Sequence, residues 1–285
     1  MKKINRRQFI NRSTAGILTA ALFTSIPNEL FASGPLNMPI GFQSWTLRDK
    51  LSKDFAGTLK MMAGLGYAGI EMCSPLGYKD SGFGPLNNLK GSEMKKIIED
   101  AGLICRSSHF NFDELRNNLD NRIEWSHQLG MTQMILSSFW LPDGTLDDYH
   151  KACDELNVIA GKINKAGFKT GYHNHNMEFE KRGDQLIYDA IMGWLDPDLV
   201  KMQFQVAVIE VGYKAADYFR KYPGRFISSH LADWSEKEKK QVPIGQGIVD
   251  WKEFFEAAKV GGIENFFVEM DPATFEESSR YLKNI

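Results

Sequence analysis

The residues best suited to chemistry in this 285-residue chain are histidines and carboxylates that end short apolar segments. Seven polar residues occupy such positions: Glu71, His109, His173, His175, Gln205, His230 and Glu269. Imidazole nitrogens and carboxylate oxygens suit Mn, Zn, Co or Fe(II) in an open site. One such histidine is more often a satisfied core residue, but four histidines together with two glutamates are hard to explain by coincidence. The pattern therefore predicts a metal-binding site.

The elements that must position these residues alternate between short strands and amphipathic helices. The predicted strands cover residues 40–45, 69–72, 104–109, 133–137, 169–175, 200–206, 226–231 and 266–269. Glycine at helix ends before several of these strands is typical of helix C-caps. Eight alternations without a break in composition predict one α/β domain, a (β/α)8 TIM barrel, over residues 35–285. An open doubly wound sheet is the alternative, but no GxGxxG motif follows the first strand.

The barrel prediction also places the chemistry. Carboxyl ends of barrel strands share one rim, where active sites of this fold form. Residues two apart on a strand share a face, so His173 and His175 are both expected to face the barrel mouth.

Composition excludes several partner classes. With 43% hydrophobic and 25% charged residues, the chain can bury a substantial core, and its net charge of −2 gives no basis for binding nucleic acid or an anionic membrane. Cys73, Cys105 and Cys153 are odd in number and widely spaced, which favours buried thiols over disulfides. The oligomeric state is left open.

Residues 1–34 are predicted to be a signal peptide and linker. Lys2 and Lys3 precede Arg6 and Arg7, and a weakly apolar stretch covers residues 15–26. The paired arginines followed by Phe9 resemble a twin-arginine export signal, with a Sec signal as the alternative. The apolar run is shorter than the roughly 20 residues that span a bilayer, so no stable membrane insertion is expected. The sequence therefore predicts an exported, periplasmic protein.

Several motifs resemble one family along the whole of the predicted domain. The run GYHNHNMEF at 171–179 is similar to the YHNHxxEF signature of the sugar phosphate isomerase/epimerase group, within the xylose-isomerase-like barrel superfamily. The runs GFQSWTLRD at 41–49, GYAGIE at 66–71 and GQGIVDW at 245–251 are similar to other parts of that family, in the same order. The combination is more specific than any one of the motifs.

The resemblance implies a set of roles. The metal ligands would be His173, Gln205, His230 and Glu269. The catalytic residues would be Glu71, His175 and Glu269. The substrate-binding residues would be His109, Glu178, Trp45 and Asp233. A divalent metal (Mn, Zn, Co or Mg) would polarise a carbonyl of a small sugar substrate while paired acid and base groups move a proton on the neighbouring carbon.

That chemistry has several outcomes. It covers sugar isomerisation and epimerisation, and also elimination or dehydration of a keto-sugar of the 3-keto-glycoside or inosose type. A non-catalytic sugar-binding barrel is a further alternative. A nucleic-acid endonuclease of the related barrel group would need a basic face, which the net charge argues against.

Two departures from the family pattern concern the metal and the substrate. Gln205 stands where strand six normally ends with aspartate, and a neutral amide is expected to hold a divalent metal less tightly. Ala232 replaces a lysine between His230 and Asp233, which removes a candidate acid or substrate anchor. Either the enzyme acts on another substrate, which we favour, or catalysis is lost.

Three remaining features bear on the substrate. The loop at residues 77–91 is long for this fold, which suggests that it covers the substrate. Trp45 and Trp140 follow strands, where they would either stack on sugar rings or pack at the rim. No phosphate-binding loop is present, so a phosphorylated substrate is not required by the sequence.

Overall fold

The computed structural model describes residues 35–285, and the predicted signal peptide at 1–34 lies outside them. Eight strands form the barrel: β1 (Ile40–Gln43), β2 (Gly69–Cys73), β3 (Ile104–Phe110), β4 (Gln133–Leu136), β5 (Lys169–His173), β6 (Val200–Gln205), β7 (Phe226–Leu231) and β8 (Asn265–Val268). All neighbouring strands are parallel, and β1 pairs with both β2 and β8, which closes the barrel. The predicted (β/α)8 TIM barrel is confirmed.

Helices surround the barrel. They are α1 (Arg48–Lys53), α2 (Phe55–Leu65), α3 (Gly91–Asp100), α4 (Phe112–Asn117), α5 (Leu119–Leu129), α6 (Leu146–Lys165), α7 (Ile187–Trp194), α8 (Ala215–Lys221), α9 (Trp251–Gly261) and α10 (Phe275–Leu282). Short 3-10 turns include Trp45–Leu47, Lys79–Ser81, Asn176–Phe179 and Val206–Val211. The described helices are too short or too polar to cross a membrane.

Local sequence explains where the helices begin and end. At the start of α6, the Thr145 side chain accepts from the Asp148 amide, and the Asp148 carboxylate accepts from the Thr145 amide. The helix α2 ends at Gly66, whose φ of 94° lies in the left-handed region that favours glycine. These caps set the distance between each helix and the strand that follows it.

The barrel interior carries an unusual amount of buried polar surface. Gln43, Glu71 and Ser107 stand beside one another on β1, β2 and β3, and Gln203 stands beside Ser228 on β6 and β7. All five side chains are buried. Because side chains alternate along a strand, the apolar neighbours of these residues pack outward against the helices. The polar layer forms the floor on which the candidate site is built.

Some strands end earlier than the sequence predicts. β5 ends at His173 and β8 at Val268, so His175 and Glu269 lie in the loops that follow. After β7, the segments Asp233–Ser235 and Lys240–Val242 pair as a two-stranded hairpin, and residues 236–239 connect them. The three cysteines are buried and free, as predicted.

Candidate functional site

A cavity of about 600 Å³ opens at the carboxyl ends of the strands. Five residues predicted for the site line it: Trp45, His109, His173, His175 and Glu269. The long loop after β2 contributes Gly77, Tyr78 and Ser81 to the wall. The volume lies within the roughly 300–1,000 Å³ of typical small-molecule sites.

The histidine on β7 connects two carboxylates. His230 Nε2 lies 2.5 Å from Glu71 Oε2, and its Nδ1 lies 2.8 Å from Glu269 Oε2. Burial favours the neutral imidazole, but the two carboxylates outweigh it and raise the pKa of His230 to about 9. Burial opposes ionisation of Glu269 as well, yet the neighbouring histidines lower its pKa to about 2. The trio therefore contains a positively charged imidazolium between two negative carboxylates.

Glu71 lies beneath the cavity and has its oxygens fully engaged. Oε1 accepts from Ser107 Oγ at 2.6 Å and from Gln203 Nε2 at 2.8 Å, and the side chain is completely buried. Burial tends to raise its pKa, but His109 and His230 bring the pKa below its usual value. Glu71 is not among the residues that line the cavity, and its catalytic role stays a prediction. In this structure its carboxylate contacts His230 and His109.

His109 is held from the same layer. Its Nε2 lies 2.6 Å from Gln203 Oε1, which is an acceptor, and 3.3 Å from Glu71 Oε2. Burial lowers the pKa of His109. With Nε2 donating the proton, the lone pair resides on Nδ1 of the neutral ring. The structure thus places His109 as a neutral imidazole at the cavity wall.

His173 and His175 both face the cavity, and both carry a buried Nδ1 without a hydrogen-bond partner. Their ring centroids are 4.8 Å apart, and the ring of His173 is 4.4 Å from that of His230. Burial lowers the pKa of His173 well below its usual value and that of His175 to about 4. Both rings are therefore neutral near pH 7, with nitrogen lone pairs available to a ligand.

Glu178 supports His175 and does not line the cavity. Its Oε2 accepts from the backbone amide of His175 at 2.7 Å, and its Oε1 accepts from the Tyr172 hydroxyl at 2.6 Å. The side chain is fully buried, which raises the pKa of Glu178 to about 7. Glu178 bonds the start of the Asn176–Phe179 turn at the His175 backbone, and its substrate-binding role stays a prediction.

Asp233 is also engaged within the protein. Its two oxygens accept from the backbone amides of Trp234, Gly245, Gly247 and Val249 and from the indole of Trp251. The five donors lie between 2.9 and 3.2 Å away. Both oxygens of this carboxylate are engaged within the protein, and the substrate-binding role of Asp233 stays a prediction. The carboxylate organises the GQGIVDW segment.

Gln205, which the resemblance implies to be a weak metal ligand, bonds the carboxylate of Glu269. Its Nε2 donates to Glu269 Oε2 at 2.6 Å, and its Oε1 accepts from the Ala207 amide at 3.2 Å. In this orientation the amide oxygen points away from Glu269. Gln205 therefore stabilises the Glu269 charge and is not arranged as a metal ligand.

The residues present fit a divalent cation. Ligand nitrogens of His109, His173 and His230 lie within 4.8 Å of one another, and Glu269 is bonded to the last of them. Glu71 and Glu269 place two carboxylates against His230 in a buried place, and His230 would release a proton to coordinate the cation. Buried carboxylates of this kind favour a cation, and the unpartnered Nδ1 of His173 is a ready donor. The group of His109, His173 and His230 shares His173 and His230 with the predicted ligand set, and Glu269 bonds His230.

Several cavity residues escaped the sequence analysis. Gln203 and Ser107 support the carboxylate layer, and Tyr78, Asn111 and Arg116 line the outer cavity. Gln203 lies between Met202 and Phe204 in β6, and a glutamine at this strand position is a signal that could have indicated a buried polar residue. Nothing in the sequence distinguishes Asn111 or Arg116 from ordinary residues of a surface helix start.

Comparisons with known proteins agree with this architecture. Residues 59–285 match the family model described as Xylose isomerase-like TIM barrel. A sugar phosphate isomerase/epimerase from Parabacteroides distasonis ATCC 8503 is 25% identical, with a TM-score of 0.70, and the match covers 86% of this chain and 98% of that one. No curated protein matches the chain.

Two further solved structures share the fold at lower identity. A probable 3-DHS dehydratase from Bacillus anthracis is 12% identical with a TM-score of 0.66, covering 87% of this chain and 99% of that one. A Xylose isomerase-like TIM barrel protein from Mycobacterium smegmatis, in complex with magnesium, is 14% identical with a TM-score of 0.63, covering 88% and 97%. The family model spans most of the described barrel, including every residue of the histidine and carboxylate cluster. This chain belongs to the Xylose isomerase-like TIM barrel family.

Proposed function

We propose that the protein is a sugar isomerase or epimerase that moves a proton on the carbon beside a carbonyl of a sugar or keto-sugar, assisted by a divalent metal. The observation that carries the proposal is the pairing of His175 and Glu269 in one cavity. His175 is a neutral imidazole with an unpartnered nitrogen, and Glu269 is an ionised carboxylate. Proton transfer needs such groups on the wall that the substrate contacts.

Membership of the family supports an enzyme of this general kind. The Parabacteroides structure bears the name of a sugar phosphate isomerase/epimerase, and the Bacillus structure that of a dehydratase. Both names describe reactions that proton removal beside a carbonyl can start. The finer assignment to isomerisation or epimerisation rests on the cavity residues of this chain.

The chain's own residues would act in a simple order. The neutral imidazole of His175 accepts the proton from the carbon, and the electron pair moves toward the carbonyl oxygen to give an enediolate. Glu269, which lines the same cavity, would carry a proton between the oxygens or to the neighbouring carbon. Return of the proton to the opposite face of the same carbon gives the epimer, and return to the neighbouring carbon gives the isomer. Glu178 keeps the His175 backbone in place through its 2.7 Å hydrogen bond.

His173, His230 and Glu269, with His109 beside them, would hold the metal. A bound divalent cation would polarise the carbonyl and stabilise the negative charge that develops on its oxygen. The layer of Glu71 and Gln203 beneath orients His109 and His230, which is the role that supporting groups have in metal sites.

Elimination is the second candidate, because the same carbanion can expel a hydroxyl or glycosyl group from the next carbon. A structural neighbour is named as a probable dehydratase, which supports elimination as an alternative reaction. The two reactions differ in product, since elimination yields an unsaturated ketone that absorbs ultraviolet light.

The test is hydrogen exchange in deuterated water with added Mn²⁺ and a panel of ketoses and 3-keto-glucosides. Proton NMR follows loss of the signal beside the carbonyl. We expect exchange by the native protein, and a loss of about 100-fold or more in His175→Gln and in Glu269→Gln. His150→Gln is the matched control, since His150 lies on α6 with a side chain 49% exposed. Exchange that survives both substitutions, or none across the panel, would overturn the proposal.

A further inference from the structure

The loop between β4 and α6 presents an unusual tryptophan to the cavity. Trp140 lines the cavity, yet 70% of it is exposed. Its φ of 53° lies in the left-handed region, which costs a bulky residue roughly 1–2 kcal/mol. A large apolar side chain held in a strained backbone and left open to solvent is typical of a binding position.

Neighbouring contacts hold this conformation. The Trp140 amide donates to Ser138 Oγ at 2.9 Å. Phe139 is buried, with its ring 4.5 Å from that of Tyr172, so it anchors the loop from within. On the far side, the Tyr149 hydroxyl donates to Leu141 O at 2.8 Å. The indole is therefore presented by a preformed loop.

Trp45, the other tryptophan that lines the cavity, packs against other side chains of the protein. The Trp45 ring stacks on Phe83 at 6.4 Å, and the guanidinium of Arg48 lies 4.6 Å from its centroid. Trp45 thus uses its ring within the protein. Among the aromatic pairs of the described residues, Trp140 has no stacked or edge-on partner. Its ring faces are free for a ligand.

The cavity is also larger than one sugar requires. Its 600 Å³ reach from the buried histidines to Trp140, and sites of this size hold drug-sized ligands. A single pyranose at His173 and His175 leaves the outer part of the cavity unfilled. The space between the reacting sugar and Trp140 therefore has room for a second ring.

Charge at the cavity wall disfavours a phosphate group. In the described part of the chain, Arg116 is the one cationic side chain that lines the cavity, and Asp113 and Glu269 are anionic. The Arg116 guanidinium donates to both oxygens of Glu155 at 2.9 and 2.7 Å and lies 3.7 Å from the Phe112 ring centroid. With its hydrogen-bonding edge engaged in this way, the outer cavity suits a neutral ligand.

We propose that Trp140 forms a second subsite, which stacks on a neutral ring joined to the reacting sugar, so that the substrate is an unphosphorylated glycoside or disaccharide. This rests on the proposed function, since it assigns a substrate class to the same site. The C–H face of a sugar and the face of an aryl group are both apolar and flat, and either stacks on an indole. The reacting ring lies at the histidines and its attached ring at Trp140.

The test compares ligands that differ only in the second ring. Methyl and p-nitrophenyl glycosides of glucose and galactose, with cellobiose, maltose and lactose, are titrated against the native protein and Trp140→Asn by saturation-transfer NMR. Asparagine tolerates the left-handed backbone, so Trp140→Asn removes the indole without adding strain. Val158→Ala is the matched control, because Val158 is 65% exposed and lies on α6 away from the cavity.

We expect at least one ligand with a second ring to bind about tenfold more tightly than its methyl counterpart, as one stacked ring provides. Trp140→Asn should abolish that preference, leave methyl glycoside binding unchanged and not lower Tm, since Asn relieves the backbone strain, while Val158→Ala changes neither the preference nor methyl glycoside binding. A preference for disaccharides over p-nitrophenyl glycosides would identify a sugar as the second ring, and the reverse an aryl group.

The proposal fails if no second ring improves binding, if the gain persists in Trp140→Asn, or if glucose 6-phosphate binds more tightly than every neutral ligand. These outcomes are separate from a failure of the proposed function. A lack of deuterium exchange with an intact second-ring preference would remove the reaction and retain the subsite.

Discussion

The amide of Gln205 donates to the carboxylate of Glu269 across 2.6 Å. In the family pattern that the sequence resembles, an aspartate occupies this position and would place a second negative charge beside Glu269. Here an N–H group stabilises the same oxygen that bonds His230. Glu269 is thereby satisfied from two sides within the protein, which lowers the electrostatic demand for a cation.

Replacing Gln205 with aspartate tests this relationship. Gln205→Asp should bind Mn²⁺ roughly tenfold more tightly, because the number of charged oxygen ligands governs the affinity of such sites. Without metal it should be about 1–3 kcal/mol less stable, because a donor to a buried carboxylate is lost. Calorimetric titration and thermal unfolding measure the two effects, with Gln185→Asp as the control, because Gln185 is an exposed residue of the short hairpin that pairs Lys181–Arg182 with Gln185–Leu186. Unchanged affinity would contradict the expectation.

His173 and His230 should each contribute more to metal affinity than Gln205 does. His230→Ala and His173→Ala are each expected to weaken Mn²⁺ binding by about 100-fold or more, since each removes a donor nitrogen. Gln205→Ala should weaken it by less than about tenfold, because the amide supports Glu269 and is not itself placed as a ligand. Competition with a chelator of known affinity gives the values. Equal losses in all three variants would show that Gln205 coordinates the ion.

Glu178 should influence catalysis through His175. Glu178→Ala removes the acceptor of the His175 amide and leaves the Tyr172 hydroxyl unpaired, which should cost about 1–3 kcal/mol of stability. We expect kcat to fall with little change in KM, because the base is displaced while the cavity wall remains. Glu180→Ala, whose side chain is 57% exposed, serves as the control. A rise in KM at constant kcat would instead place Glu178 in contact with the substrate.

A buried glutamate beneath the long loop should make stability depend on pH. Glu114 Oε1 accepts from Ser74 Oγ at 2.5 Å, Oε2 has no partner, and burial raises the pKa of Glu114 to about 7. The folded state then binds a proton more tightly than the unfolded state between pH 4.5 and 7. The contribution of Glu114 to stability should therefore decline as pH rises through that window.

The comparison with Glu114→Gln isolates this effect. Chemical unfolding at several pH values should show a native protein that loses stability relative to the variant as pH increases from 4.5 to 7, by about 3 kcal/mol at most. Other titrating groups cancel in the difference. A constant difference across the window would mean that the pKa of Glu114 is the same in the folded and unfolded states.

The export prediction concerns residues outside the described structure and stays a prediction. We propose that residues 1–34 direct export and that Arg6 and Arg7 select the twin-arginine route. Replacing both arginines with lysine should leave unprocessed protein inside the cell. Normal processing of that variant would assign the signal to the Sec route.

Much of the barrel could be predicted because its strands are apolar runs between capped helices, and this pattern is local. The convergence of His173, His175 and His230 could also be predicted from the sequence, because the carboxyl ends of barrel strands share one rim. The sequence could not show which carboxylates line the cavity and which lie beneath it. Glu71 lies in the middle of β2, whereas Glu178 and Glu269 follow strands, and of the three only Glu269 lines the cavity. The layer in which a carboxylate lies depends on strand register and on partners distant in sequence. The left-handed backbone of Trp140 likewise depends on the surrounding loop.

The five N–H groups around Asp233 explain why the GQGIVDW segment has its spacing. Gly247 stands so close that a β-carbon there would lie 2.1 Å from Asp233 Oδ1, so no side chain fits. N–H groups of this segment thus enclose the Asp233 carboxylate, and the sequence of the segment serves the fold. Two proteins can share it and still act on different sugars. Within this barrel, a search for the substrate gains nothing from that motif and should follow the residues that face the open cavity.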